Sequence, residues 1–371
     1  MKPKNFCAVL SVGALAVGAA ACGSDSSSNA TSSSGKESTS SAPAEAKLSG
    51  NLAGAGASTQ AAAQEAWVAG FQTANPGATI AYDPVGSGGG REQFVSGGVD
   101  FAGSDAALAD KELTMAQKRC GGEANLIEAP VYISPIAIAF KLDGVEDLTL
   151  SPDTMAKIFK QKITMWDDPA IAKDNPDAKL PSTRITVVNR SDESGTTENF
   201  TDYLSKAAPK VWTFEVSGDW PVKGGEAAQG TSGVVSAIKG GDGTIGYADA
   251  SQATDLSQVK VMVGGEAVGA SPEAAAAVLD ASKESDDPGK YVFTYDLDRN
   301  TKDTNAYPIT LTSYEIACTK YDKPKTGALV KGYLSYLISA DGQKAAADAA
   351  GNAPISDDLR TKIMPAIEAI K

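Results

Sequence analysis

The sequence predicts an α/β protein large enough for two domains. Three observations carry this. Short apolar runs alternate along the chain with stretches of helical spacing, the pattern of an α/β fold. The 371 residues suffice for two hydrophobic cores. A composition of 42% hydrophobic and 21% charged residues is that of an ordinary soluble globular protein.

In chain order, the first stretch reads as targeting rather than structure. Lys2 and Lys4 make a short positive region, and the apolar run Ala8 to Ala21 is too short to span a bilayer. It ends in "GAAACGS", which resembles a bacterial lipoprotein signal over residues 1–21, with Cys22 as the lipidated residue. An ordinary signal peptide cut near Ala21, or a chance cysteine, is the alternative. Residues 22–47 then read as a lipid anchor and tether. The stretch Gly23 to Lys47 is rich in Ser and Thr with almost no large apolar side chain, so it cannot build a core. At roughly 5–6 Å × √n its root-mean-square reach is about 25–30 Å.

The elements follow. "NLAGAGAS" (51–58) ends a strand, and "TQAAAQEAWVAGFQTA" (59–74) has Ala, Trp and Phe at helical spacing. "ATIAYDPV" (78–85) is a strand, "GSGGG" (86–90) a loop, "REQFVSGG" (91–98) a short helix, and "DFAGSD" (100–105) a strand entering a turn. "VYISPIAIAF" (131–140) is a long apolar strand. "SPDTMAKIFK" (151–160) is a helix with Ser151 as N-cap and Pro152 at its first position. "RITVVN" (184–189) and "GTIGYA" (243–248) are strands; "SPEAAAAVLDAS" (271–282) and "KTGALVKGYLSYLIS" (325–339) are helices.

Charge and composition exclude several functions. A net charge of −13 argues against nucleic acid, whose phosphates demand a basic surface. No histidine is present, which removes the commonest general base, the commonest metal ligand and every Ser-His-Asp triad. "ESGTT" is not the nucleophile motif G-x-S-x-G, so an enzyme, a metal site and a cofactor are not expected. With Cys7 in the signal and Cys22 lipidated, Cys120 and Cys318 remain, an even pair in an exported chain. They read as a disulfide, with two buried free thiols as the alternative.

Four turns after strands carry small polar residues: "GAGAST" (54–59), "VGSGGG" (85–90), "GSDA" (103–106) and "RSDESGTT" (190–197). In open α/β sheets ligands sit outside the carboxyl ends of strands. Helix N-termini there present free N–H groups and a positive dipole end, and glycine lets backbone approach a ligand. Each turn alone is more simply a cap, since Ser and Thr are favoured N-caps. Four in one chain, one with an arginine, point to an oxyanion site.

These motifs, in this order, resemble the PstS family of phosphate-binding proteins of bacterial ABC-type phosphate importers. "GAGAS", "GSGGG", "VDFAGSDAAL" and "NRSDESGTT" match its binding turns; "ITMWDDPAIAKDNP", "GTIGYA" and "AYPIT" match its structural signatures. The likeness covers about Leu48 to the C-terminus. It implies a type II periplasmic-binding-protein-like fold. Two α/β domains, residues 48–131 plus 310–371 and residues 132–309, would be joined by two crossover strands near Val131 to Ile136 and Pro308 to Thr312. The ligand would lie in the cleft between them. The likeness implies a phosphate site in which Ser58 gives a hydroxyl and an N–H, Thr59 an N–H, Ser87 a hydroxyl and Asp105 the one carboxylate. Arg190 gives the charged fork, Ser194, Gly195 and Thr196 the donors of the second domain, and Asp192 orients Arg190. The chain departs from the family at Thr59 and Gln60, where an aromatic residue and a proline are usual.

The implied partners are inorganic phosphate and the permease subunits of an importer, with the membrane reached only through the lipid and the protein monomeric on the outer face of the cell membrane. A binding protein for another tetrahedral oxyanion, or a phosphate-sensing or adhesive lipoprotein, is the alternative. Cleavage before Cys22 takes the charge from −13 to about −15, so an anion must be drawn by local dipoles, hydroxyls and one arginine. Arginine suits this, being always charged and able to pair two hydrogen bonds with an oxyanion. Asp105 suits hydrogen phosphate, which still has a proton to donate, and repels sulfate, which has none. A helix cap is the simpler reading of Asp105 taken alone.

Overall fold

The computed structural model describes residues 47–108, 110–286 and 289–371. The signal segment, Cys22 and the tether up to Ala46 lie outside these described residues.

One continuous sheet organises the molecule. Along its main path the strands are Gly77–Asp83, Ser49–Gly56, Phe101–Ser104, Thr310–Cys318, Leu126–Lys141, Thr244–Asp249, Thr186–Arg190 and Glu226–Ala228. The strand Leu126–Lys141 holds this path together, because it changes partners midway. Its first part pairs antiparallel with Thr310–Cys318, from Leu126 opposite Cys318 to Pro135 opposite Thr310. From Ile136 onward it pairs antiparallel with Thr244–Asp249 instead. All its residues but the last are buried, which is why it reads as an unbroken apolar run rather than an alternation.

On one side of this switch, Ser49–Gly56 lies parallel to both Gly77–Asp83 and Phe101–Ser104. On the other, Thr186–Arg190 lies parallel to both Thr244–Asp249 and Glu226–Ala228. Each group of parallel strands therefore gathers its carboxyl ends at one edge. The predicted turns follow those ends.

Helices cover the sheet through large buried rings. Helix Ala61–Ala74 inserts Trp67 and Phe71, spaced four apart, and Phe71 meets Tyr333 edge-on at 5.4 Å. The second half packs Phe159, Phe200, Trp220 and Tyr247 into one aromatic cluster. Ser151 caps the helix Pro152–Phe159 by accepting the Thr154 N–H, with Pro152 opening the helix as its sequence predicts.

One expectation changes and one alternative falls. "GSGGG" is not a loop: the helix runs Ser87–Ser96 and takes three glycines into its first turns. Packing explains this. A Cβ on Gly90 would lie 2.4 Å from Gly56 Cα, and one on Gly88 would lie 1.6 Å from the Glu193 carboxylate, so the helix approaches its neighbours only without side chains. Asp105 is not a helix cap either, since the next helix begins at Asp110 and the Asp105 side chain bonds to hydroxyls elsewhere. Cys120 and Cys318 are joined by a disulfide, tying the end of helix Asp110–Arg119 to the end of strand Thr310–Cys318.

Candidate functional site

The site forms where the carboxyl ends of the two parallel strand groups face each other. Ser49–Gly56 delivers Ser58 and Thr59 into a short 3-10 turn that leads into helix Ala61–Ala74. Phe101–Ser104 delivers Asp105, and Gly86, at φ 101°, swings the chain into the helix that begins at Ser87. From the other side, Thr186–Arg190 delivers Arg190, and Ser194 caps helix Gly195–Ala207 by accepting the Thr197 N–H. Ser58, Thr59, Ser87, Asp105, Arg190, Ser194 and Thr196 are each at most 8% exposed.

Asp105 is the centre. Thr59 Oγ1 donates to both its carboxylate oxygens at 2.8 and 2.7 Å, Ser313 Oγ donates to Oδ1 at 2.8 Å, and Thr196 Oγ1 reaches Oδ2 at 3.4 Å. The Asp105 N–H is given to Ser87 Oγ at 3.1 Å. Gly195 packs directly on it, since a Cβ there would stand 2.8 Å from the Asp105 Cβ. Burial pushes the Asp105 carboxyl above its ordinary value; the Thr59 and Ser313 hydroxyls, the Arg190 charge and Thr196 pull against that rise.

Arg190 donates Nε and one Nη to Asp192 at 2.8 and 2.5 Å. The Gly230 N–H also donates to Asp192, at 3.0 Å. Burial acts to raise the Asp192 carboxyl, but the hydrogen bonds and charge of Arg190 outweigh it and hold the group below the usual carboxylate range. Gly86 lies against this pair: a Cβ there would be 2.5 Å from Asp192 Oδ2 and 3.4 Å from Arg190 Nη2. The Gly-rich turn thus lets backbone come close to the guanidinium.

The structure brings Thr59, Ser87, Asp105, Gly195 and Thr196 into one contact group, with Arg190 and Asp192 as a second pair beside it. Ser87 Oγ and Ser194 Oγ each accept a backbone N–H, which leaves their own hydrogens to donate. Ser58 stands apart from Asp105. Its Oγ accepts the Thr231 N–H at 3.0 Å and shares a hydrogen bond with Thr231 Oγ1, also at 3.0 Å.

Sequence reading missed several neighbours. Thr231 opens helix Gly230–Gly240, and its stretch "AAQGTSG" has the same strand, glycine, hydroxyl and helix pattern as the four turns singled out. Gln252 donates to the Ser58 and Thr59 carbonyls at 3.1 and 3.4 Å. Asn199 donates to the Asp105 carbonyl at 2.6 Å. Arg91, 4% exposed, bridges Glu112 and Glu193 at 2.8 and 2.9 Å. Ser313 lies inside a strand whose every residue is buried, with no local pattern to mark it.

Chemically this is a buried, donor-rich cluster in which the Arg190 guanidinium, held by Asp192, acts on the Asp105 carboxylate through its charge. Comparison with known proteins agrees. The family model described as the PBP superfamily domain matches residues 41–341. The phosphate-binding protein PstS3 of Mycobacterium bovis is 37% identical over 369 residues, covering 98% of this chain and 97% of that one. PstS 3 of Mycobacterium leprae is 35% identical, covering 97% and 98%. Among solved structures, a phosphate-binding protein from Stenotrophomonas maltophilia superposes with a TM-score of 0.65 at 22% identity, over 85% of this chain and 94% of that one. A high-affinity periplasmic phosphate-binding protein bound with phosphate gives 0.67 at 24% identity, over 85% and 93%. Identity of 35% and 37% to PstS proteins across nearly the full length, a PBP-superfamily match over most of the chain and the shared two-domain fold place the chain in the PstS-type phosphate-binding family of the PBP superfamily.

Proposed function

We propose that this protein captures inorganic phosphate outside the cytoplasm and delivers it to an ABC-type importer, binding the anion without chemical turnover. The observation that carries the reading is that buried Arg190, fixed by Asp192, and buried Asp105 act on each other through charge among hydroxyl and N–H donors from both strand groups. Arg190 supplies charge to the dianion, held in place by Asp192. Ser58, Ser87, Ser194 and Thr196 supply hydroxyls, and Thr59, Gly195 and Thr196 lie where the turns offer N–H groups. Asp105 accepts the hydrogen that HPO₄²⁻ carries.

The two domains are residues 48–131 with 310–371, and residues 132–309. The midway change of partners in Leu126–Lys141 supports this division. Cys22 carries the lipid and residues 23–47 tether the binding domains to the outer face of the membrane; no helix among the described residues is long and apolar enough to cross it. The protein meets the permease subunits as a monomer.

Isothermal titration with phosphate and with sulfate tests the reading. Phosphate should bind with one site per chain, and sulfate should bind far more weakly. Absence of phosphate binding, or release of a reaction product from a phosphate ester, overturns it.

A further inference from the structure

The Asp105 carboxylate is held by an ordered chain of donors, and the direction of every hydrogen bond in it can be assigned. The chain begins at Tyr333, whose hydroxyl donates to Gln64 Oε1 at 2.7 Å. Gln64 Nε2 then donates to Gln60 Oε1 at 2.8 Å and to Glu315 Oε1 at 2.7 Å. With its oxygen so occupied, Gln60 turns its Nε2 to Ser313 Oγ at 2.9 Å and to the Tyr314 carbonyl at 3.2 Å. An amide nitrogen only donates, so Ser313 Oγ accepts there. The single Ser313 hydrogen is left for Asp105 Oδ1 at 2.8 Å. Thr59 adds its hydroxyl to both carboxylate oxygens. Thr59, Gln60, Gln64 and Ser313 are all at most 1% exposed, so water does not compete. A register shift in the strand pairing falls between Ser313 and Tyr314, and such irregularities re-aim side chains beside sites.

We propose that Thr59 and Ser313 are specificity-determining residues of the phosphate site, and that Gln60 positions Ser313: together their hydrogen bonds keep Asp105 a pure acceptor, so that it takes the hydrogen of hydrogen phosphate and turns sulfate away. The inference rests on the phosphate-binding reading above and adds a condition to it. A protonated Asp105 would become a donor and would welcome sulfate. Selectivity therefore lasts only as far into acid as Asp105 stays ionised. Hydrogen bonds to the charged form extend that range.

The other titratable and charged groups facing Asp105 are Arg190, Asp249 and the phenols of Tyr82 and Tyr132. Arg190 works in the same direction as the hydroxyls. Asp249, raised to about 6 by burial against the hydrogen bonds of Ser134 and Ser251, makes no hydrogen bond to Thr59 or Ser313 and feels their loss only through the charge of Asp105. A shift seen on removing those two hydroxyls therefore reports Asp105.

The test is sulfate competition against bound phosphate, followed from about pH 4.5 to 8.5, on the full chain and on four variants. Wild-type protein should begin to accept sulfate only at the acid end. In Ser313→Ala the midpoint of sulfate acceptance should move up by about one pH unit, which is about fivefold more sulfate bound one unit above the wild-type midpoint. Thr59→Val should move it at least as far, and Gln60→Leu, which leaves Ser313 free to turn, should move it less. Thr59→Ser, which keeps the hydroxyl, should return the wild-type curve. Ser313→Ala removes one atom and carries the test if Thr59→Val fails to fold. Sulfate curves superimposable on wild type overturn this inference alone; wild-type protein that binds no phosphate overturns the proposed function and this inference with it.

Discussion

Arg190 is the one guanidinium among the four turns, and it is 3% exposed with Asp192 holding two of its nitrogens. Its partner sets its orientation, so the fork is presented without the rotamer freedom a surface arginine would lose on binding. Arg190→Ala should leave a folded protein whose phosphate affinity, read by titration, is at least tenfold weaker, about 1.4 kcal/mol or more. Unchanged affinity would remove Arg190 from the site. Asp105 is the matching acceptor. Sulfate against its buried carboxylate sets two unprotonated acceptors together, and an unpaired buried charge costs roughly 3–5 kcal/mol. At about 1.4 kcal/mol per decade this gives phosphate over sulfate by about 10² to 10⁴. Asp105→Asn keeps the shape and adds donors, so competition at neutral pH should show the ratio narrowing, mainly through stronger sulfate binding. A mutant that rejects sulfate as strongly as the parent would place selectivity elsewhere.

Among the elements, helix Ser87–Ser96 shows how a composition suggesting a loop becomes a helix. Glycine costs about 1 kcal/mol relative to alanine in a helix, so by local propensity Gly90→Ala should stabilise it. The surroundings reverse that sign. The added methyl would sit 2.4 Å from Gly56 Cα and 2.7 Å from the Ala55 carbonyl oxygen, both backbone atoms of a central strand. Overpacking of this kind costs about 1–3 kcal/mol. Urea unfolding of Gly90→Ala should show a lower midpoint with an unchanged slope. A higher midpoint would mean that the helix can shift away from the strand, contrary to the packing described here. The turn "RSDESGTT" behaves as its residues suggest, because its cap, Ser194, acts three residues along the chain and needs no distant partner.

At the scale of the molecule, the sheet is continuous through Leu126–Lys141 and Thr310–Cys318, which pair with each other from Leu126–Cys318 to Pro135–Thr310. Motion between the proposed domains must therefore bend these two paired strands. The disulfide lies at the far end of that pairing from Pro135 and Thr310, next to helix Asp110–Arg119. It constrains a separation of 198 residues in the unfolded chain, worth up to roughly 5 kcal/mol in the chain-entropy picture. A Cys120→Ala, Cys318→Ala double variant should melt at a lower temperature yet retain phosphate affinity, since the bond lies within the first proposed domain. A large loss of affinity in a folded variant would tie the disulfide to closure instead.

Sequence by itself determined the type of most elements it marked out, the polar turns and the even cysteine pair. Apolar periodicity, N-cap chemistry and residue counts are properties of neighbours along the chain, so they are legible without coordinates. The turns that hold Thr59, Ser87, Asp105, Gly195 and Thr196 were legible because their pattern is local, and the likeness to the PstS family singled out those residues within them. What those residues face was decided only by tertiary structure. Asp105 meets Ser313 across a separation of 208 residues and Thr196 across 91; Ser58 meets Thr231 across 173. Gln60 reaches Ser313 across 253. No periodicity of 2 or 3.6 residues reports on such pairs. The helical glycines of "GSGGG" make the same point in reverse. Their local preference is for a loop, yet a helix forms there, and at Gly90 the backbone of Ala55 and Gly56 comes so close that an added side chain would overpack it.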